Sequence, residues 1–112
     1  MEVNYATKKL ADTLTQQQRR VRKYGDLVSK KVHRRILELM AADTLEVMRF
    51  APGRCHELKG DRAGELAVSI TGNLRLIFRP HDDPPPTKGD GGLDWTAVTA
   101  ITILEVTDYH GA

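Results

Sequence analysis

The stretch Leu66-Ala67-Val68-Ser69-Ile70-Thr71-Gly72-Asn73-Leu74-Arg75-Leu76-Ile77-Phe78-Arg79 decides the fold. Leu66, Val68 and Ile70 alternate with Ala67 and Ser69. Thr71-Gly72-Asn73 supplies turn chemistry, and Leu74, Leu76 and Phe78 then alternate with Arg75, Ile77 and Arg79. A period of two on both sides of a turn predicts a β-hairpin with one apolar face toward a core. The same alternation sends Arg75 to the opposite face, where a charge wants an anion.

Working outward toward the C-terminus, both alternating sets are largely apolar from 97 to 106: Val98, Ala100, Leu104 and Val106 on one, Ile101 and Ile103 on the other. That pattern predicts a central strand covered on both faces. Between it and the hairpin, residues 81–95 hold Pro84-Pro85-Pro86 and Gly89, Gly91 and Gly92, which break any ladder and predict a long flexible loop. Toward the N-terminus the period changes. Leu10, Leu14 and Val21 lie at helical spacing, and Tyr24-Gly25-Asp26 reads as a glycine stop followed by an N-cap. A second apolar stripe follows in Val28, Val32, Ile36, Leu37, Leu39 and Met40, with Lys30, Lys31, Arg34 and Arg35 largely on its other side. Asp43-Thr44-Leu45-Glu46 resembles a capping box, and residues 2–5 are candidates for a short strand. One domain over 1–112 is therefore expected, of class α+β. It holds an N-terminal helical hairpin (1–42) packed on one face of a small twisted antiparallel sheet (56–79 and 97–110), with a loop at 81–95.

The composition fits that reading. Of 112 residues, 40% are hydrophobic and 29% charged, ordinary for a chain that folds around one core. A single cysteine, Cys55, excludes an internal disulfide and reads as a packed small residue rather than a nucleophile. His33, His56, His81 and His110 are too scattered for a zinc cage, so neither a metal nor a cofactor is expected. No long apolar run is present, which leaves the cytoplasm as the expected compartment, with no membrane partner. The net charge of +2 hides an asymmetry: residues 1–42 carry +6 and the remainder −4. Arg19, Arg20, Arg22 and Lys23, with Lys30, Lys31, Arg34 and Arg35, read either as solvated helix faces or as a phosphate-gripping surface for RNA.

Three clusters could carry chemistry: His56-Glu57-Leu58-Lys59-Gly60-Asp61 before the hairpin, Asn73 with Arg75 on it, and Asp108-Tyr109-His110 at the end of the last strand. If that strand lies beside the hairpin, its end brings Tyr109 and His110 toward Lys59 and Arg75 as one cationic, proton-transferring patch. Taken singly, each member is a common surface residue. His81 and Trp95 in the loop carry no assigned role.

The string Pro52-Gly53-Arg54-Cys55-His56-Glu57-Leu58-Lys59-Gly60-Asp61-Arg62-Ala63-Gly64, then Gly72-Asn73-Leu74-Arg75-Leu76-Ile77-Phe78-Arg79, then Asp108-Tyr109-His110, is similar to the HigB toxins of the RelE/ParE superfamily of bacterial toxin–antitoxin systems. The resemblance runs over nearly the whole chain. It departs at Leu66 and Leu74, where the family has aromatic residues, and in the longer proline-rich loop. It implies a RelE-like fold and a type II toxin that cleaves messenger RNA in the ribosome's decoding site and so inhibits translation. The implied partner is a helix-turn-helix antitoxin of the HigA type. Carried over position by position, the catalytic set falls on His56, Lys59, Arg75, Tyr109 and His110, with Asn73 and Asp108 supporting. Two rivals follow from the same fold class: a ParE-like gyrase-binding toxin without nuclease activity, and a catalytically inactive relative.

Overall fold

The structure, a computed structural model, describes residues 1–108. Strand β1 (Glu2–Tyr5) leads into helices α1 (Lys8–Thr15), α2 (Gln17–Tyr24) and α3 (Asp26–Ala41). A 3-10 helix (Leu45–Arg49) then precedes β2 (His56–Glu57), a 3-10 turn (Gly60–Arg62), β3 (Leu66–Ser69), β4 (Leu74–Pro80), a third 3-10 turn (Trp95–Ala97) and β5 (Ala100–Asp108). The sheet has five strands in the order β1-β5-β4-β3-β2. Class α+β holds, but the sheet is mixed rather than wholly antiparallel. The chain leaves β1 through the helices and returns to it as β5, a crossover that sets the two strands parallel, Glu2 opposite Ala100 and Tyr5 opposite Ile103.

The hairpin forms where the alternation placed it, with Leu66 opposite Phe78 and Ser69 opposite Arg75. Thr71 closes its turn: its Oγ1 accepts from the backbone N–H groups of Asn73 and Leu74 at 3.2 and 2.9 Å. The long apolar strand is β5, internal between β1 and β4. Its pairing with β4 shifts between Ile77 and Phe78, so Leu104 and Glu105 both face Ile77, as in a β-bulge.

The expected helical hairpin is three helices. Gln16 is extended (φ −94°, ψ 114°) and separates α1 from α2 within the polar run Gln16-Gln17-Gln18-Arg19, where no apolar side chain holds the next turn to the core. Gly25 stops α2 with φ +79°, as read, but it also occupies the N-cap of α3. Asp26 is the first helical residue instead, paired with Lys30 at 3.7 Å. The capping box is absent too. Thr44 is the cap residue but makes no side-chain cap bond, and Glu46 turns to Arg49 at 2.7 Å.

Leu14, Val32, Ile36 and Leu39 from the helices pack with Leu66, Val68, Leu76, Phe78, Ile101 and Ile103 in the main core. This fixes the helix layer on one sheet face. Leu37 and Met40, read as part of the buried stripe, are 48% and 54% exposed; the stripe that packs is the narrower Val28, Val32, Ile36 and Leu39. Among the described residues the other face has a small cluster, Leu58, Ala67 and Ile77 with Leu104 against them.

The segment from 81 to 94 lies outside the regular elements but is tied back by a bridge between Thr87 and Leu93. Trp95 at its end is 4% exposed and sits in the main core. No helix among the described residues is long and apolar enough to cross a membrane.

Candidate functional site on the helix-free sheet face

Register assigns the side chains of the helix-free face. Arg75 stands opposite Ser69 on β3 and Thr107 on β5, and Ile77 stands opposite Ala67 and Glu105. His56 pairs with Ala67 and therefore belongs to the same face. Counting two strand spacings across and two residues along, the Cα atoms of Arg75 and His56 lie about 12 Å apart. Extended side chains from both sides can close that gap onto one ligand.

Arg75 is partly committed to its own turn. Its Nη1 donates to the carbonyls of Thr71 (2.8 Å), Leu74 (3.1 Å) and Gly72 (3.3 Å). Among the described residues no carboxylate pairs with it. The guanidinium is thus held by neutral acceptors that keep its charge uncompensated and available to an anion.

His56 is fixed by a neighbour with an unusual backbone. Arg54 adopts φ +54°, which turns its carbonyl to within 2.8 Å of His56 Nδ1. A carbonyl only accepts, so Nδ1 carries the proton and Nε2 of the neutral ring keeps its lone pair. This is the tautomer of a base with Nε2 as the working atom.

Lys59 is exposed in the segment that leans over this face, between the buried Leu58 and Arg62. Arg62, a residue with no chemical role legible in the sequence, fastens that segment: Nη1 donates to Glu65 at 2.7 Å and Nη2 reaches across to Glu105 at 3.0 Å. The i to i+3 spacing of Arg62 and Glu65 was a legible signal; the link to Glu105 depends on the strand order and was not.

The supporting residues are placed less uniformly. Asn73 is exposed in the hairpin turn. Asp108 pairs in register with Leu74, on the side of the sheet away from Arg75. Tyr109 and His110 lie outside the described residues. Cys55 packs against the main core, and burial pushes its thiol up to about 12, so it stays protonated and unreactive near neutral pH. Among the described residues no group of three or more His, Cys, Asp or Glu side chains is placed to hold a metal ion.

The basic set on the helices divides. Arg19, Arg22, Lys23, Lys30, Lys31 and Arg34 are exposed. Arg20 is not: it is 5% exposed, with Nε donating to Ser29 Oγ at 2.9 Å and Nη1 to the Leu14 carbonyl at 2.8 Å. The break at Gln16 turns the guanidinium inward to take up a carbonyl at the end of α1. Arg35 is also drawn in, donating to the Ser69 carbonyl at 2.8 Å and pairing with Glu38 at 3.1 Å. Neither stands on the exposed basic surface of the helices.

No family model matches the sequence, and no curated protein matches it. Solved structures do share its fold. A YoeB/ParE toxin from Agrobacterium tumefaciens is similar at a TM-score of 0.56 with 17% identity, over 98% of this chain and all of that one. YoeB in a YoeB–YefM complex from Staphylococcus aureus gives 0.55 with 14% identity, over 98% of this chain and 97% of that one. A YoeB dimer from the same organism gives 0.55 with 15% identity and the same coverage. At these identities the likeness is one of fold, and it extends from end to end.

Proposed function

We propose that this chain is the toxin of a type II toxin–antitoxin system, a ribosome-dependent messenger RNA endoribonuclease of the HigB kind that acts in the cytoplasm to inhibit translation. Its partners are the ribosome, the message and a HigA-type helix-turn-helix antitoxin. The observation that carries the reading is the helix-free face, where His56 presents Nε2 and Arg75 an uncompensated guanidinium on a fold shared with YoeB/ParE toxins. One of those relatives was solved with its partner YefM.

Metal-free RNA cleavage needs a base for the 2′-hydroxyl proton, an acid for the leaving 5′-oxygen, and cations for the charge that builds on the phosphoryl oxygens. In this reading His56 and His110 form the proton-transfer pair, with Tyr109 positioning or assisting. Arg75 and Lys59 hold the phosphoryl charge, and Asn73 and Asp108 support the turn and strand end. The 2′-oxygen attacks phosphorus as its proton leaves to the base, the bond to the 5′-oxygen breaks, and the acid protonates that oxygen. The products are a 2′,3′-cyclic phosphate and a free 5′-hydroxyl.

Brief induction in a bacterial host, with message ends mapped by primer extension, tests this. Cuts within translated codons are expected, and Arg75→Ala abolishes both cuts and growth arrest. That variant stays folded, losing roughly 1 kcal/mol from its bonds to the turn carbonyls. Full growth arrest by Arg75→Ala removes Arg75 from the mechanism. Intact messages with an SOS response identify a gyrase poison instead, and neither effect identifies an inactive relative.

A further inference from the structure

Away from the sheet face, α2 and α3 enclose a cleft of about 190 Å³ lined by Gln17, Arg20, Asp26, Ser29, Lys30 and His33. At its floor is Arg20, 5% exposed. A guanidinium has five N–H donors, and the two bonds to Ser29 and Leu14 leave three without an acceptor among the described residues. Both acceptors are neutral, and no carboxylate pairs with the charge among those residues. A buried cation ordinarily has an anion beside it, because desolvation without one is unfavourable. No fully buried side-chain nitrogen or oxygen lacks a partner among the described residues, so Nη2 of Arg20, which has no acceptor there, is not fully buried, and the cleft that Arg20 lines is the opening beside it.

The geometry points to this cleft as an anion socket that takes a phosphate group of an RNA backbone, with Arg20 at the floor and Lys30, His33 and Gln17 donating from the rim. Asp26 is the one carboxylate there, tied to Lys30 at 3.7 Å with both side chains 74% exposed, a contact weak enough for a phosphate to displace. The surroundings favour phosphate over a protein carboxylate. Arg19, Arg22, Lys23, Lys31 and Arg34 stand exposed on the same two helices, a surface matched to a line of repeating charges. The choice of RNA as the source of that phosphate rests on the function proposed above; the socket itself does not.

The test is titration of the whole chain with inorganic phosphate at constant ionic strength, followed by amide NMR, and then with a short single-stranded RNA. Saturable shifts confined to residues around Gln17, Arg20, Ser29 and His33 are expected with phosphate and with the RNA. Lys30→Gln and His33→Gln, both at exposed positions, weaken RNA binding roughly two- to fivefold each. Asp26→Asn tightens the saturable binding of inorganic phosphate read at these same amides, a local effect that a purely structural role for Arg20 does not produce. Absence of saturable shifts, or an Asp26→Asn variant that binds no better, overturns the socket. Shifts with polyglutamate but with neither phosphate nor RNA also overturn it, in favour of a protein partner. Phosphate binding without message cleavage in cells refutes the nuclease and leaves the socket standing; cleavage without phosphate binding does the reverse.

Discussion

Two residues beside the candidate site show how local physics restricts it. Cys55 holds its thiol up to about 12 because burial disfavours the thiolate. The sign of the pH effect follows. Above about pH 9 the unfolded chain releases this proton and the native chain does not, so the unfolded state binds fewer protons and stability falls as pH rises toward 12. The stability advantage of the native chain over Cys55→Ala should therefore narrow by roughly 1 kcal/mol between pH 8 and 9.5 in urea titrations. An unchanged difference would mean that the thiol titrates alike in both states.

Gly53 acts through shape. Its φ is +105°, and a Cβ there would collide with Val68 Cγ2 and come within 2.9 Å of Arg35 Nε, the nitrogen that bonds the Ser69 carbonyl. Gly53→Ala is expected to cost roughly 2–4 kcal/mol, from strained backbone and overpacking together. A loss below about 0.5 kcal/mol in the denaturation midpoint would show that α3 and β3 do not meet as described.

At the scale of elements, the hairpin and β5 were legible because their period of two is written in Leu66 to Phe78 and in Val98 to Val106. The first helical stretch is less legible. Leu10, Leu14 and Val21 share helical spacing, but the helix breaks at Gln16 within a polar run and Arg20 then folds inward onto Leu14, a contact with no sequence period. The crossover that makes β1 parallel was equally invisible, since four residues have no direction of their own in a sequence. Of the candidate site, the face of Arg75 followed from alternation, whereas the tautomer of His56 depends on the positive φ of Arg54 and the placement of Lys59 on the Arg62–Glu105 link. Trp95 stands in the sequence without a pattern around it, yet it anchors the end of the proline-rich loop: its Nε1 donates to Glu57 at 3.0 Å, and Arg49 stacks 3.9 Å above its ring. Trp95→Ala should lower stability by about 3–5 kcal/mol, read as a shifted denaturant midpoint with little change in slope. A loss under 1 kcal/mol would show that the loop hangs free of the core.

At the scale of the whole molecule, the exposed cations of α3, on the side of that helix away from its buried stripe, and the Arg75 face lie on opposite sides of the helix and sheet layers, with at least the roughly 10 Å diameter of a helix between them. Charges that far apart across protein, each open to salt-screened solvent, couple weakly. In the proposed nuclease the two surfaces then have separable duties, grip on one side and chemistry on the other. Lys31→Gln combined with Arg34→Gln should flatten the dependence of single-stranded RNA affinity on salt by up to about 1.4 in log–log slope, roughly 0.7 per lost phosphate contact. Arg75→Ala should change that slope by one contact at most while removing cleavage. The binding free energies of the double variant and of Arg75→Ala should add in the triple variant to within about 0.5 kcal/mol. A coupling energy well above that, measured by fluorescence anisotropy at several salt concentrations, would mean that RNA touches both layers through one connected contact, and the division between grip and chemistry would be wrong.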